Sequence, residues 1–302
     1  MKNEYLQKIV DSYNGYANYL WQEITLSYSY KPWYENYFYL LIIVSLLVWG
    51  LEVLFPWRKK QPFIRKDFWL DTFYMFFNFF LFNLIAFIAL SNTFELFLLR
   101  TFNFNLEDLQ LVHVENLPHW LQLLIFFIVT DFVQWLTHIL LHRVPFLWEF
   151  HKVHHSVEQM GFAAHLRYHW METVVYKSML YLPVAFIGGW KFEDVFWVHT
   201  FAILIGHLNH ANIHLTYGPL KYIFNNPVMH LWHHAYNLPE GRKYGLNYGI
   251  SLSIWDYIFG TAEIPEDNGE IKLGFPGVEE FPNDFIGQEL HGFKKKKNNM
   301  QE

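Results

Sequence analysis

Three histidine clusters stand close together in the 302-residue chain: His138-Ile-Leu-Leu-His142, His151-Lys-Val-His154-His155 and His230-Leu-Trp-His233-His234. Fourteen of its seventeen histidines lie between His138 and His234. In a helix, residues three or four apart sit one turn above each other and their side chains converge on one face. Imidazoles converging in this way suit iron, zinc, copper or nickel far better than magnesium or calcium. A lone histidine in an apolar helix is more often a hydrogen-bonded core residue. Two HxxHH clusters and one HxxxH among aromatic and aliphatic neighbours would be very costly to bury without something to satisfy them. The three clusters supply eight histidines, more than the roughly four to six ligands that one such ion takes, so two metal ions are the natural count.

The elements that must position these rings lie in a membrane protein. The chain is 53% hydrophobic and 21% aromatic, with 13 Trp and 19 Tyr, residues favoured where a bilayer meets water. It has no cysteine, which excludes disulfides, thiolate ligands, iron–sulfur clusters and cysteine nucleophiles. A net charge of −6 with a single basic run, Lys294 to Lys297, gives no support for a nucleic-acid partner.

Residues 1–34 lack the basic-then-apolar start of a signal peptide. Tyr5, Ile9, Tyr13, Tyr16 and Leu20 recur at helical spacing beside Lys8, Asp11 and Glu23 and predict an interfacial amphipathic helix. The apolar run from Tyr37 to Phe55 is long enough to cross a hydrocarbon core of about 30 Å. Five basic residues between Trp57 and Lys66 then place the following loop in the cytoplasm. A second apolar segment runs from Phe68 to about Leu90, Thr93 to Pro118 reads as a loop with a short helix on the far side, and His119 to about Leu136 returns the chain to the basic-loop side. Val174 to Ile187 and Val195 to Ile205, split by Gly188 to Asp194, read as a tilted helical hairpin that enters and leaves on one face. That parity brings the late histidines back to the early ones. The expected fold class is an all-α integral membrane protein of about three transmembrane helices plus a helical hairpin, with a cytoplasmic helical cap carrying the histidine boxes. The divisions are 1–34 interfacial, 35–130 transmembrane, 131–265 histidine-box domain and 266–302 cytoplasmic tail.

The chain resembles the fatty acid hydroxylase and sterol desaturase superfamily over roughly Asp131 to Thr261, in a branch similar to alkylglycerol monooxygenase. The resemblance rests on the three boxes, on Arg167-Tyr168-His169, His210-Ala-Asn212, Gly218-Pro219-Leu220 and Asn225-Asn226-Pro227, and on Asn247-Tyr248-Gly249 and Trp255-Asp256 through Gly260-Thr261. It implies two iron ions, with zinc an alternative as purified, held by His138, His142, His151, His154, His155, His230, His233 and His234. His210 matches an additional family histidine, and His207, one turn before it on the same face, is counted with the metal candidates. His169 is expected to orient ligands, and Asp131 or Asp256 to accept the second ring N–H of a liganding imidazole. The resemblance also implies molecular oxygen as oxidant, a lipid or sterol-like substrate, a multi-pass (inner) membrane location with the site facing the cytoplasm, and a separate electron donor, since no haem or flavin motif is visible.

Two other functions compete. A membrane zinc hydrolase needs a glutamate base and an open site with three protein ligands, and eight clustered histidines exceed that. A metal transporter places its ligands at the midplane within spans, whereas these boxes lie at or beyond the span ends.

Overall fold

The computed structural model describes residues 2–104, 109–265 and 269–294; Lys295 to Lys297 of the basic run, and the outer parts of the expected tail, lie outside them. Helix α1 (Lys2–Thr25) is followed by α2 (Tyr37–Leu54), which starts where the Asn36 side chain accepts from the Tyr39 amide and stops before Pro56, whose missing N–H cannot continue the ladder. Helix α3 (Phe68–Phe102) runs 35 residues, past the Leu90 limit expected from sequence. No Gly or Pro interrupts it, and two π turns, Phe77–Leu81 and Asn83–Phe87, absorb the change of packing along its length. Its C-terminal half is covered by α1, through Asn92 to Ser12, Tyr13 to the Ile85 carbonyl and Arg100 to Glu4. Asn92 and Arg100 are therefore contacts between helices, and the stretch expected to be a loop from Thr93 is helical as far as Phe102.

Helix α4 (His119–Arg143) carries the first histidine box on its last turns, and α5 (Pro145–His155), opened by a proline at its first position, carries the second. Helices α6 (Trp170–Phe186) and α7 (Phe192–His210) both pack on α4. Between them, Ile187–Gly188 pairs in parallel with Val112–His113, the described residues' only two strands. Among the described residues, α2, α3 and α4 are long and apolar enough to cross a membrane.

Helices α2 and α7 run parallel: the Tyr37 and Phe196 rings pack with centroids 4.6 Å apart, Ser45 Oγ lies 3.1 Å from His207 Nε2, and Glu52 accepts from the Asn212 amide at 2.8 Å. The C-terminal ends of α2, α4 and α7 thus gather at one end of the bundle with the start of α3 and α6. The basic loop and the histidine boxes are at that end. A core of Leu41, Val48, Phe68, Met75, Phe162 and Ile203 joins α2, α3 and α7 beneath it.

Short helices α8 (Pro227–His233), α9 (Ile254–Ile258) and α10 (Phe285–His291) complete the fold. Residues 269–294 differ from the irregular tail expected. Phe285 packs on Phe73, Tyr74 and Phe77 of α3, and Phe293 packs on Phe150 of α5. Aromatic side chains spaced through a polar stretch carry no periodicity, which is why the docking was not legible.

Candidate metal centre

Nine of the ten candidate histidines come together in two buried groups. The first holds His138, His142, His151, His155 and His233; the second holds His154, His210, His230 and His234. Within each group the candidate ligand atoms lie within 4.8 Å of one another. Each HxxHH box is divided between them. On α5 the i and i+4 rings of His151 and His155 face the first group while His154 faces the second; at the end of α8 the arrangement is reversed, His230 and His234 joining the second group and His233 the first. The two groups abut, with the His155 and His234 rings 4.4 Å apart.

The nitrogens show whether these groups fit metal ions. His154 Nδ1 donates to the Arg167 carbonyl at 3.1 Å and His210 Nδ1 to the Gly206 carbonyl at 2.7 Å, which leaves lone pairs on both Nε2 atoms. Those Nε2 atoms are 3.3 Å apart. Two acceptors facing each other repel unless a cation lies between them, and donors held about 2.0–2.1 Å from one ion sit about 3 Å from each other. In the first group His142 and His233 donate through Nδ1 to the carbonyls of Tyr244 (3.0 Å) and Leu246 (2.8 Å), and His155 Nε2 lies 3.2 and 3.1 Å from their Nε2 atoms. His138 donates to the Tyr248 carbonyl at 2.8 Å and its buried Nε2 has no hydrogen-bond partner. Burial pushes His151, His155, His230, His233 and His234 well below the usual imidazole range, and His154 to about 3, so these rings are neutral bases. The donor set fits two transition-metal ions.

The carbonyls that orient the rings are themselves braced. Asp256 accepts from Tyr248 N, Gly249 N, Trp135 Nε1 and Thr261 Oγ1 at 2.9, 2.7, 3.1 and 2.6 Å, and Asp131 accepts from Ser251 N, Leu252 N and Trp255 Nε1. Neither carboxylate touches a grouped imidazole, contrary to the sequence expectation. They hold the loop whose carbonyl does. Arg167 is likewise pinned by Asp71, Asp67 and Ser156 while its carbonyl orients His154.

One functional partner was missed by sequence reasoning: Glu172 Oε2 lies 3.0 Å from His151 Nδ1. Its signal was a carboxylate in the first turn of an apolar helix, directly after Arg167-Tyr168-His169. His207 is not brought into either group; its ring lies 2.8 Å from His165 Nδ1 on one side and 3.1 Å from Ser45 Oγ on the other. His169 caps α6 by accepting from Met171 N and donates to the Glu289 carbonyl of α10. His199 stacks on Phe79, and the His214 ring packs tilted against Trp57.

A cavity of ≈ 190 Å³ between α4, α6 and α7, with mostly apolar walls, reaches His138 and His151 of the first group and His154, His210 and His230 of the second. A second, of ≈ 690 Å³, approaches His142, His155 and His233 from the opposite side, between Trp148, Phe275 and the 235–245 loop.

Residues 123–261 match the profile of the family described as Fatty acid hydroxylase. This stretch is similar to the fatty acid hydroxylase family. The matched stretch takes in every grouped histidine, Glu172, Asp131 and Asp256. The chain is 30% identical to the ornithine lipid hydroxylase OlsE of Rhizobium tropici over 59% of this chain and 52% of that protein. It is 34% identical to the alkylglycerol monooxygenase of Homo sapiens over 50% of this chain and 32% of that protein, and 26% identical to the very-long-chain aldehyde decarbonylase GL1-7 of Oryza sativa subsp. japonica over 51% and 25%. The chain thus spans about half the length of the Rhizobium relative and a third or less of the other two. No solved structure shows a significant match.

Proposed function

We propose that the protein is a membrane monooxygenase that uses molecular oxygen to hydroxylate, or alternatively to desaturate, a C–H position of a lipid or sterol-like substrate, with two iron ions held by the nine grouped histidines. The observation that carries this reading is the meeting of two all-imidazole groups with one apolar cavity inside a bundle of membrane-length helices. Relatives named as a lipid hydroxylase and a monooxygenase support it. The iron pair, when bound, supplies the oxidising power that an unactivated C–H bond requires.

The chain's own residues do the rest. The carbonyls of Tyr244, Leu246, Tyr248 and Arg167 keep the proton on Nδ1 and turn each Nε2 lone pair inward. Glu172 Oε2 lies 3.0 Å from His151 Nδ1 and places a carboxylate at the back of that ring. Leu180, Ala202 and Ile203 offer a lipid chain an apolar wall and keep water from the reacting carbon. A zinc hydrolase would need a carboxylate facing the lone pairs, and the one carboxylate lining the cavity, Glu172, meets the back of the His151 ring instead. The test is turnover of lipid extract by iron-loaded proteoliposomes with a reductant and heavy-isotope dioxygen. Label in a lipid alcohol, lost in His155→Ala, supports hydroxylation, and a new double bond without label redirects the reading to desaturation. Product formed equally well without dioxygen, or labelled only from water, would return the reading to the hydrolase.

The basic loop from Arg58 to Lys66 supports a cytoplasmic location for the histidine end of the bundle, with α6 and α7 as a hairpin entering from that side. The reductant is then a separate cytoplasmic donor. Because the chain has no native cysteine, single cysteines at the exposed positions Asn103 and Asn237 should react with impermeant maleimide from opposite sides of the membrane. Labelling from the same side would overturn this orientation.

A further inference from the structure

A single cation stands inside the cavity that joins the two histidine groups. Lys177, on α6, is the only lysine or arginine among the described residues that line it. Its ammonium donates to Asn83 Oδ1 and lies 4.3 Å from the centroid of the Phe87 ring, both on the π-distorted stretch of α3. Among the described residues no carboxylate pairs with it, and Glu172, the one acid lining the cavity, lies against His151 at 3.0 Å. An ammonium carries three donors. One goes to Asn83 and one side faces Phe87, which leaves donor capacity for the cavity. Holding a largely buried cation without an anion is costly, and an anion brought by whatever fills the cavity would offset that cost.

We propose that Lys177 receives a lipid oxyanion, a carboxylate or a phosphate, so that the substrate of this site is an acidic lipid. The inference rests on the reading that the cavity admits a lipid, and it names the class. It also sets the register. Lys177 is five residues beyond Glu172, about 7.5 Å along the helix axis, and Glu172 lies against His151. An acidic group seated at Lys177 leaves the nearby part of the substrate, rather than the far end of its chain, beside the grouped histidines. His199, from α7, lines the same cavity and offers a second polar contact.

The experiment is equilibrium binding of radiolabelled oleate, 1-oleoyl-lysophosphatidate and oleyl alcohol, which share one chain, to the protein in phosphatidylcholine nanodiscs, with empty discs subtracted. The wild type should bind at least one of the two acidic lipids roughly ten- to a hundredfold more tightly than the alcohol, the worth of a hydrogen bond to a charged group. The stronger of the two identifies carboxylate or phosphate. Lys177→Met should erase the preference and Lys177→Arg should keep it. Equal binding of all three lipids by the wild type overturns the proposal even if the Met variant fails to fold, and so does a preference that survives in a folded Lys177→Met with unchanged metal content. Binding needs neither dioxygen nor reductant, so a charge preference without isotope incorporation would sink the oxygenase reading alone, and incorporation without a charge preference would sink only the role of Lys177.

Discussion

Replacing Asp71 with alanine should cost about 3–5 kcal/mol of stability, the usual penalty for stranding a buried charge by deleting its partner. Asp71 is fully buried on α3 and accepts from Arg65 and, at 2.9 Å, from Arg167; both guanidiniums are themselves almost completely buried. Without the carboxylate Arg65 loses the acid it is paired with, and Arg167 keeps its bond to Ser156 and, of its acids, only the longer contact to Asp67 at 3.2 Å. The damage should reach the metal centre. The Arg167 carbonyl orients His154, so metal in the second group should fall more than metal in the first. Denaturant unfolding in detergent, with metal content measured on the folded fraction, checks both parts. A loss below about 1 kcal/mol would place Asp71 among weak surface pairs and contradict the buried network.

Asp71 also shows what was legible in the sequence. It appeared there as a polar interruption of an apolar segment, a correct observation without its network, because one of the two arginines it meets, Arg167, lies 96 residues later in the chain. The metal candidates were legible because their chemistry is local: spacings of three and four on a helix announce convergence before any tertiary contact is known. The division of each HxxHH box between two groups was not. It depends on the approach of α5 to α8, which periodicity does not encode. His207 illustrates the limit of helical-face reasoning. It shares a face with His210, yet one turn places it deeper in the bundle, where Ser45 and His165 occupy its nitrogens. The bracing of the 247–252 loop by Asp131 and Asp256 was placed one step too close to the metal, since an acid near a histidine in sequence terms can as readily hold the loop that holds the ring. Three long apolar helices were read correctly in number and start. The continuation of α3 to Phe102 was hidden because Asn92 and Arg100 face a neighbouring helix, and their polarity looks the same as that of a loop.

Metal analysis of purified protein and of two double variants tests the central claim, that the boxes build two adjoining sites, most directly. The wild type should carry about two transition-metal ions per chain, as two complete imidazole donor sets require. His155→Ala with His233→Ala removes two of five donors from the first group, and His230→Ala with His234→Ala removes two of four from the second. Each double variant should fall to about one ion, and lipid oxidation should drop more than about 100-fold in both, beyond the usual cost of losing a group that only orients a ligand. Zinc in place of iron in the isolated protein leaves this count intact. About one ion in the wild type, or two ions retained in either double variant, would contradict the account.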